Sequence, residues 1–324
     1  MNEFSLIRDY FSSPNYVRKD VIIGVGDDAA ITMVPPGQYL VTTTDTLLEG
    51  VHFLADATPQ AIAHKAIAVN LSDLAAMGAE PSWISLSLSL PNADEKWILA
   101  FSDELKKLTE YFSIQLIGGD TVKGPLAVTI TAQGFVPPES VLTRSGAQAG
   151  DWLFVTGTLG DASAGLAVLQ GKIEAASSQY AEDLTTRHYF PTPRILAGTT
   201  LRRIATSCID VSDGLLQDLG HIIKASEVGA LVHLDKLPIS EALGKSISNL
   251  EQALEFACTG GDDYELLFTV PEEQRVSMES AMASYNLPCT CIGQITGAQG
   301  KIDLRLNEQP FSFANIEEKG YLHF

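Results

Sequence analysis

Four apolar stretches of this chain each run into glycine and aspartate. They are Ile23-Gly24-Val25-Gly26-Asp27-Asp28, Ile117-Gly118-Gly119-Asp120, Ile209-Asp210-Val211-Ser212-Asp213-Gly214 and Cys258-Thr259-Gly260-Gly261-Asp262-Asp263. Glycine at the end of a strand permits a tight turn and close approach of a ligand. An aspartate beside it sets a short carboxylate at the tip. One such turn is ordinarily a turn with a helix cap. Four of them, placed along both halves of a 324-residue chain, predict strands that alternate with helices and carboxylates with a common use.

The segments between the turns fit that expectation. Tyr39 to Thr44 is a β-branched strand, and Trp83 to Leu90 alternates serine with apolar residues. Gln60 to Met77 is Ala-rich, with Ile62, Ala66, Ile67, Leu71 and Leu74 at helical spacing and Gly78 as a C-cap. Asp94 to Phe112 is an amphipathic helix, followed by strands at Leu116-Ile117 and Leu126 to Phe135. The small, polar run Arg144 to Asp151 precedes a strand at Trp152 to Thr156 and marks a boundary. Beyond it, helices at Asp161 to Leu169 and Leu215 to Ser226 mix with strands at Ala230 to Leu234 and Tyr264 to Val270. The prediction is a mixed α/β (α+β) fold in two domains, 1–148 and 149–324, close to the usual ~150 residues per domain.

Charge narrows the partners. Forty acidic against 21 basic residues give a net charge of −19, a field that repels nucleic acid and anionic membranes. It repels free nucleotides too, so a phosphate ligand requires positive charge supplied locally. Clustered carboxylates are hard oxygen ligands that can hold such a cation. Most of the acids need be no more than solvated surface; placement separates the two readings. Two further oxygen sets stand out. Thr42-Thr43-Thr44-Asp45 closes a strand, and Asn70 and Asp73 share one face of a predicted helix.

Two nucleotide motifs fail on inspection. Gly24-Val25-Gly26-Asp27-Asp28-Ala29 fits G-x-G-x-x-A, but two carboxylates would face a pyrophosphate. Gly244-Lys245-Ser246 resembles the end of a P-loop, yet Ile239 occupies the position of its first glycine. Cys208, Cys258, Cys289 and Cys291 form no paired motif, which predicts reduced thiols. The N-terminus lacks a signal-peptide pattern and no apolar run is long enough to span a bilayer, so a cytoplasmic protein is expected.

Asn70-Leu71-Ser72-Asp73-Leu74-Ala75-Ala76-Met77-Gly78-Ala79 strongly resembles the signature of thiamine-monophosphate kinases. These share a superfamily with aminoimidazole ribonucleotide synthetase, selenophosphate synthetase and a hydrogenase-maturation protein. The resemblance runs in order through Gly26 to Ala30, Thr44 to Phe53, Gly118 to Thr121, Arg144 to Ala147, Asp210 to Leu215 and Gly260 to Leu266. Asp262 stands where the family more often has glutamate, and Tyr321 where it commonly has a tryptophan or other aromatic.

That resemblance implies ATP-dependent phosphorylation of thiamine monophosphate to thiamine diphosphate, with several Mg²⁺ ions. It implies two α/β domains, the N-terminal ones pairing in a homodimer around a β-barrel-like core. Carried over, the metal ligands are Asp28, Thr43, Thr44, Asp45, Asp73, Asp120, Asp210 and Asp213. The nucleotide contacts are Gly119, Arg144, Ser212 and Tyr111; the substrate contacts are His52, Asp262, Asp263 and Tyr321. A lone histidine between Val51 and Phe53 is also a common packed strand residue. No general base is implied; the metal cluster and Arg144 act as electrostatic stabilisers. Two alternatives stay open at this point. One is another ATP-using member, although a selenophosphate synthetase would resemble its family better with an early reactive cysteine, and the first here is Cys208. The other is a non-catalytic nucleotide- or metal-binding module.

Overall fold

The computed structural model describes residues 3–12 and 14–313. The chain divides into two compact units, one of Met1–Leu74 and Ala79–Glu139, the other of Ala75–Gly78 and Ser140–Phe324.

The first unit begins with a short helix α1 (Glu3–Leu6), a π-helical turn at Ile7–Phe11, and the small pair β1 (Val21–Ile23) and β2 (Ile31–Thr32). Then come β3 (Tyr39–Leu48), α2 (Pro59–Ala76), β4 (Glu80–Leu90), α3 (Glu95–Tyr111), β5 (Gln115–Lys123) and β6 (Ala127–Val136). Four strands form one sheet in the order β3-β6-β4-β5. The β4/β5 pair is parallel because α3 carries the chain back between them. Asp94 starts α3 by accepting the backbone N–H of Lys96 at 2.9 Å.

Alternation explains this sheet. On β4, Ile84, Leu86, Leu88 and Leu90 are buried while Ser85, Ser87 and Ser89 are not. Their partners across the ladder are threonines: Ser85 faces Thr131 and Ser87 faces Thr129. Thr44 and Thr46 of β3 meet the same residues, hydroxyl to hydroxyl at 2.9 Å. One face is therefore apolar and covered, the other a hydroxyl-lined surface edged by exposed Leu40 and Leu48.

The second unit contains β7 (Trp152–Thr156), α4 (Asp161–Leu169), α5 (Ser178–Tyr189), α6 (Ile195–Leu201), β8 (Ser207–Asp210), α7 (Leu215–Ser226) and β9 (Gly229–His233). It continues with α8 (Glu241–Ser246), α9 (Leu250–Thr259), β10 (Leu266–Val270), α10 (Glu272–Ser284), β11 (Cys289–Thr296), β12 (Ile302–Leu306) and β13 (Gln309–Pro310). Its seven-stranded sheet has the order β13-β12-β9-β11-β7-β10-β8. Its central strands β7, β8 and β10 are buried almost throughout because both faces are covered there. Leu153, Val155, Ile209 and Leu267 pack with Leu219 and Ile222 of α7 and Leu254 of α9. The alternate residues Phe154, Cys208 and Phe268 pack with Met278 and Met282 of α10. Phe154 and Phe268 stack with centroids 5.6 Å apart.

The helices and strands expected from the sequence are present, with three differences: Cys258-Thr259 closes helix α9 rather than a strand, β3 runs on past Asp45 to Leu48, and the second glycine–aspartate segment is no turn. Ile117 to Asp120 is not a turn but the middle of β5. Of the two glycines, Gly119 is required because β4 lies too close for a side chain: a Cβ there would sit 1.8 Å from the carbonyl oxygen of Leu86. The four cysteines are free, and Cys208 and Cys258 are buried. Among the described residues no helix is long and apolar enough to cross a membrane.

Candidate active site

In the first unit, β3 and α2 bring three of the expected oxygen donors together. Thr43 and Asp45 are two apart on β3 and so lie on one side of it. Asp73 comes from α2, and its Oδ2 accepts the hydroxyl proton of Thr43. Burial, with the charge of Asp73 added, pushes the Asp45 carboxyl up to about 6. Asn70, three residues before Asp73, is fully buried; its amide donates to the carbonyl of Ala66 at 3.0 Å, and its Oδ1 has no partner among the described residues. Thr44 points the other way, into its hydrogen bond with Thr131, so strand alternation separates its hydroxyl from this group.

Two of the glycine–aspartate segments line one cleft of about 540 Å³ in this unit. Gly24 to Ala30 form one wall and Gly118 to Thr121 another, placing Asp27, Asp28 and Asp120 around the same space. Asp28 and Asp120 are exposed. Tyr111 is not on the cleft wall; it closes α3, 78% exposed, edge-on against Phe112. His52 lies in the turn after β3 rather than in a strand. Its Nδ1 accepts the N–H of Leu48 at 3.0 Å, which leaves the ring proton on Nε2. The space at Gly119 gives a testable asymmetry. Gly119→Ala is expected to lower stability by about 3 kcal/mol through overpacking against β4. Gly118→Ala, where a Cβ meets nothing within 4 Å, should melt like the wild type. Equal melting curves for both variants would refute the tight β4–β5 approach.

In the second unit, the other two glycine–aspartate segments lie side by side. Val211 donates to the carbonyl of Glu265, Tyr264 to that of Val211 and Asp262 to that of Ser212, at 2.8–2.9 Å. Asp262 and Tyr264 both have positive φ, 69° and 51°. Such backbone strain in non-glycine residues gathers at functional sites. Asp210 is buried at the end of β8, and Asp213 accepts the amide of Gln217 at 3.0 Å. Asp218, which the motifs did not single out, accepts the N–H groups of Ser212 and Asp213. Burial pushes its carboxyl up to about 7; the N–H groups of Asp213 and Ser212 and the charge of Arg144 oppose the shift, and the charge of Asp213 adds to it. Arg144 thus acts on the same turn. The signal in the sequence was an acid in the first turn of the helix after Gly214, which reads as ordinary helix chemistry.

The paired acids Asp262 and Asp263 part company. Asp262 is part-exposed, and the hydroxyl of Tyr264 donates to it at 3.0 Å. Asp263 is buried, with its two oxygens accepting the N–H groups of Gly160 (2.7 Å) and Ala162 (3.3 Å). It caps α4, whose own N-cap is glycine, and burial holds its carboxyl well above the usual range. Both carboxyl oxygens thus face the start of α4. Tyr321 lies outside the described residues. Among the described residues no three histidine, cysteine or acidic side chains form a ready metal shell.

Two family models cover most of the chain. Residues 26–136 match the AIR synthase related protein N-terminal domain, and residues 148–304 match its C-terminal domain. Thiamine-monophosphate kinase of Escherichia coli (strain K12) is 51% identical over 99% of this chain and 98% of its own length. The crystal structure of thiamine-monophosphate kinase from Stenotrophomonas maltophilia K279a aligns with a TM-score of 0.84 at 45% identity, covering 91% of this chain and 93% of that one. AaThiL complexed with AMPPCP and TMP aligns at 0.77 and 31% identity, covering 99% and 96%. Identity of this order along the whole length, over both domains and all four glycine–aspartate segments, places the chain in the thiamine-monophosphate kinase family.

Proposed function

We propose that this chain transfers the γ-phosphoryl group of ATP to thiamine monophosphate, giving thiamine diphosphate and ADP. The observation that carries the reading is the 51% identity to the Escherichia coli enzyme across 99% of the chain. The full-length likeness to AaThiL, held with an ATP analogue and TMP, supports it.

The acceptor is a phosphate monoester whose second pKa is near ~6. It is largely ionised at neutral pH, so no side chain need act as general base. The barrier is electrostatic, since two polyanions must meet. The donor chemistry fits Mg²⁺. Asp45, Asp73 and Thr43 offer hard oxygens, and Asp73 already disfavours a second bare charge on Asp45. Asp28 and Asp120 would hold Mg²⁺ at the first unit's cleft, and Asp210 and Asp213 in the second unit. When bound, Mg²⁺ neutralises phosphate charge. The residues of the chain do the rest. Arg144 offers a guanidinium fork to phosphate oxygens. Gly119 lets backbone approach the nucleotide, Ser212 offers a hydroxyl, and His52 and Asp262 orient the acceptor. A second copy of the chain would cover the hydroxyl-lined face of the four-stranded sheet, making a homodimer.

The test is a product assay with ATP, Mg²⁺ and thiamine monophosphate. Thiamine diphosphate should appear with ADP in equal amounts, cease with chelator and return with Mg²⁺. ADP release with formylglycinamidine ribonucleotide but not with thiamine monophosphate would overturn the substrate. Undiminished turnover after exhaustive chelation would overturn the metal.

A further inference from the structure

Helix α7 is fastened at both ends to loops that carry candidate site residues. In its first turn, the Oδ2 of buried Asp218 accepts the N–H groups of Ser212 and Asp213, each at 3.1 Å. At its last residue, the Oγ of Ser226 accepts the N–H groups of Gly146 and Ala147 and donates to the carbonyl of Arg144, all at 3.2 Å. The loop before α7 holds Ser212 and Asp213 and follows Asp210 at the end of β8; the other loop holds Arg144. Both loops contain glycine at positive φ, Gly214 (114°) and Gly146 (119°). Neither is a regular element, so external hydrogen bonds must fix its shape. The helix between them packs into the core through Leu219, Ile222 and Ile223.

We propose that Asp218 and Ser226 are positioning residues, and that α7 is a brace holding the Ser212–Asp213 turn and the Arg144 loop in register for the phosphates of a nucleotide. The inference rests on the kinase reading above for the identity of that nucleotide. Neither residue touches the nucleotide itself. Each acts through backbone N–H groups, as outer groups that orient ligands do elsewhere.

The experiment measures the affinity of the full chain for AMPPCP with Mg²⁺ by calorimetry. Asp218→Ala and Ser226→Ala should each weaken it by about 10-fold or more, the scale of losing an orienting group. Asp218→Asn keeps an acceptor oxygen in place and should bind near wild type. Arg144→Ala should also weaken binding, and Ser226→Ala added to it should cost little more, because Ser226 acts through that loop. Wild-type affinity in Ser226→Ala and in folded Asp218→Ala would overturn the brace. So would full additivity of Ser226→Ala with Arg144→Ala. Should Asp218→Ala not fold, the part-exposed Ser226 and the isosteric Asp218→Asn still decide the matter, since loss of affinity in Asp218→Asn would count against it. Binding of AMPPCP by a wild type that makes no thiamine diphosphate would defeat the kinase reading alone and leave these affinities to judge the brace.

Discussion

Asp45→Asn is expected to lower kcat by about 10²-fold or more, the scale of losing a positioned electrostatic stabiliser. The metal-free protein should melt no lower than the wild type. The two effects have opposite sign for one physical reason. In the fold, the Asp45 carboxylate is disfavoured by burial and by the charge of Asp73, which together raise it to about 6. Asparagine keeps the shape and removes both penalties, so the apoprotein loses nothing. It also removes the charge that Mg²⁺ affinity depends on. An aspartate that only shapes β3 would tolerate the change in both assays, because Asn has the same size and keeps one acceptor oxygen. Kcat across a Mg²⁺ titration, beside a melting curve in chelator, separates these cases. Wild-type turnover at low Mg²⁺ would remove Asp45 from the metal ligands. Partial recovery at high Mg²⁺ would show weakened binding as the defect.

The largest loss of stability is expected at Glu265. It is fully buried and accepts hydrogen bonds from Arg187 Nη2 (2.7 Å), Arg194 Nε (2.6 Å), Arg194 Nη2 (2.5 Å) and Thr156 Oγ1 (2.7 Å). Burial alone would raise its carboxyl. The hydrogen bond and charge of Arg194, with the charge of Arg187, reverse that and hold it below the ordinary glutamate range. Glu265→Gln takes the nearest counter-charge from two mostly buried guanidinium groups, leaving Arg187 the more distant Asp161 at 3.9 Å, and should cost about 3–5 kcal/mol. Urea unfolding of the two proteins measures it, and a loss below about 1 kcal/mol would show the network to be screened like a surface pair. The pH dependence has a definite sign. The fold favours the ionised form, so the contribution is complete above the unfolded glutamate pKa and is lost as pH falls through the lowered folded value. The gap between wild type and Glu265→Gln should therefore narrow in acid.

Much of the architecture was legible because each sheet wrote its environment into its strands. Ser-apolar alternation at Trp83 to Leu90 marked one strand and Trp152 to Thr156 another; the fold then shows one open face at the first and two covered faces at the second. The grouping of Thr43, Asp45 and Asp73 was readable as oxygen donors on a strand end and a helix face. What alternation also dictates, the turning away of Thr44, follows only once Asp45 is known to face α2. Gly118-Gly119 read as a turn because glycine usually marks one; that β4 crowds Gly119 is a tertiary fact. Asp218, Ser226, Arg187 and Arg194 escaped notice because their partners are distant or are backbone groups, which no motif records. The near-identical neighbours Asp262 and Asp263 could not be told apart, since only burial assigns one to a helix cap.

That cap reaches far along the chain. Asp263 lies 103 residues after Gly160 and 101 after Ala162, whose N–H groups it receives. During synthesis from the N-terminus, α4 leaves the ribosome well before the carboxylate that completes its start. At about 5–20 residues per second the delay is roughly 5–20 s. Throughout it α4 begins at a glycine with no side chain of its own to receive those protons. A nascent chain halted before Asp263 should therefore show rapid amide exchange at Gly160 and Ala162, and one released beyond β10 should protect them.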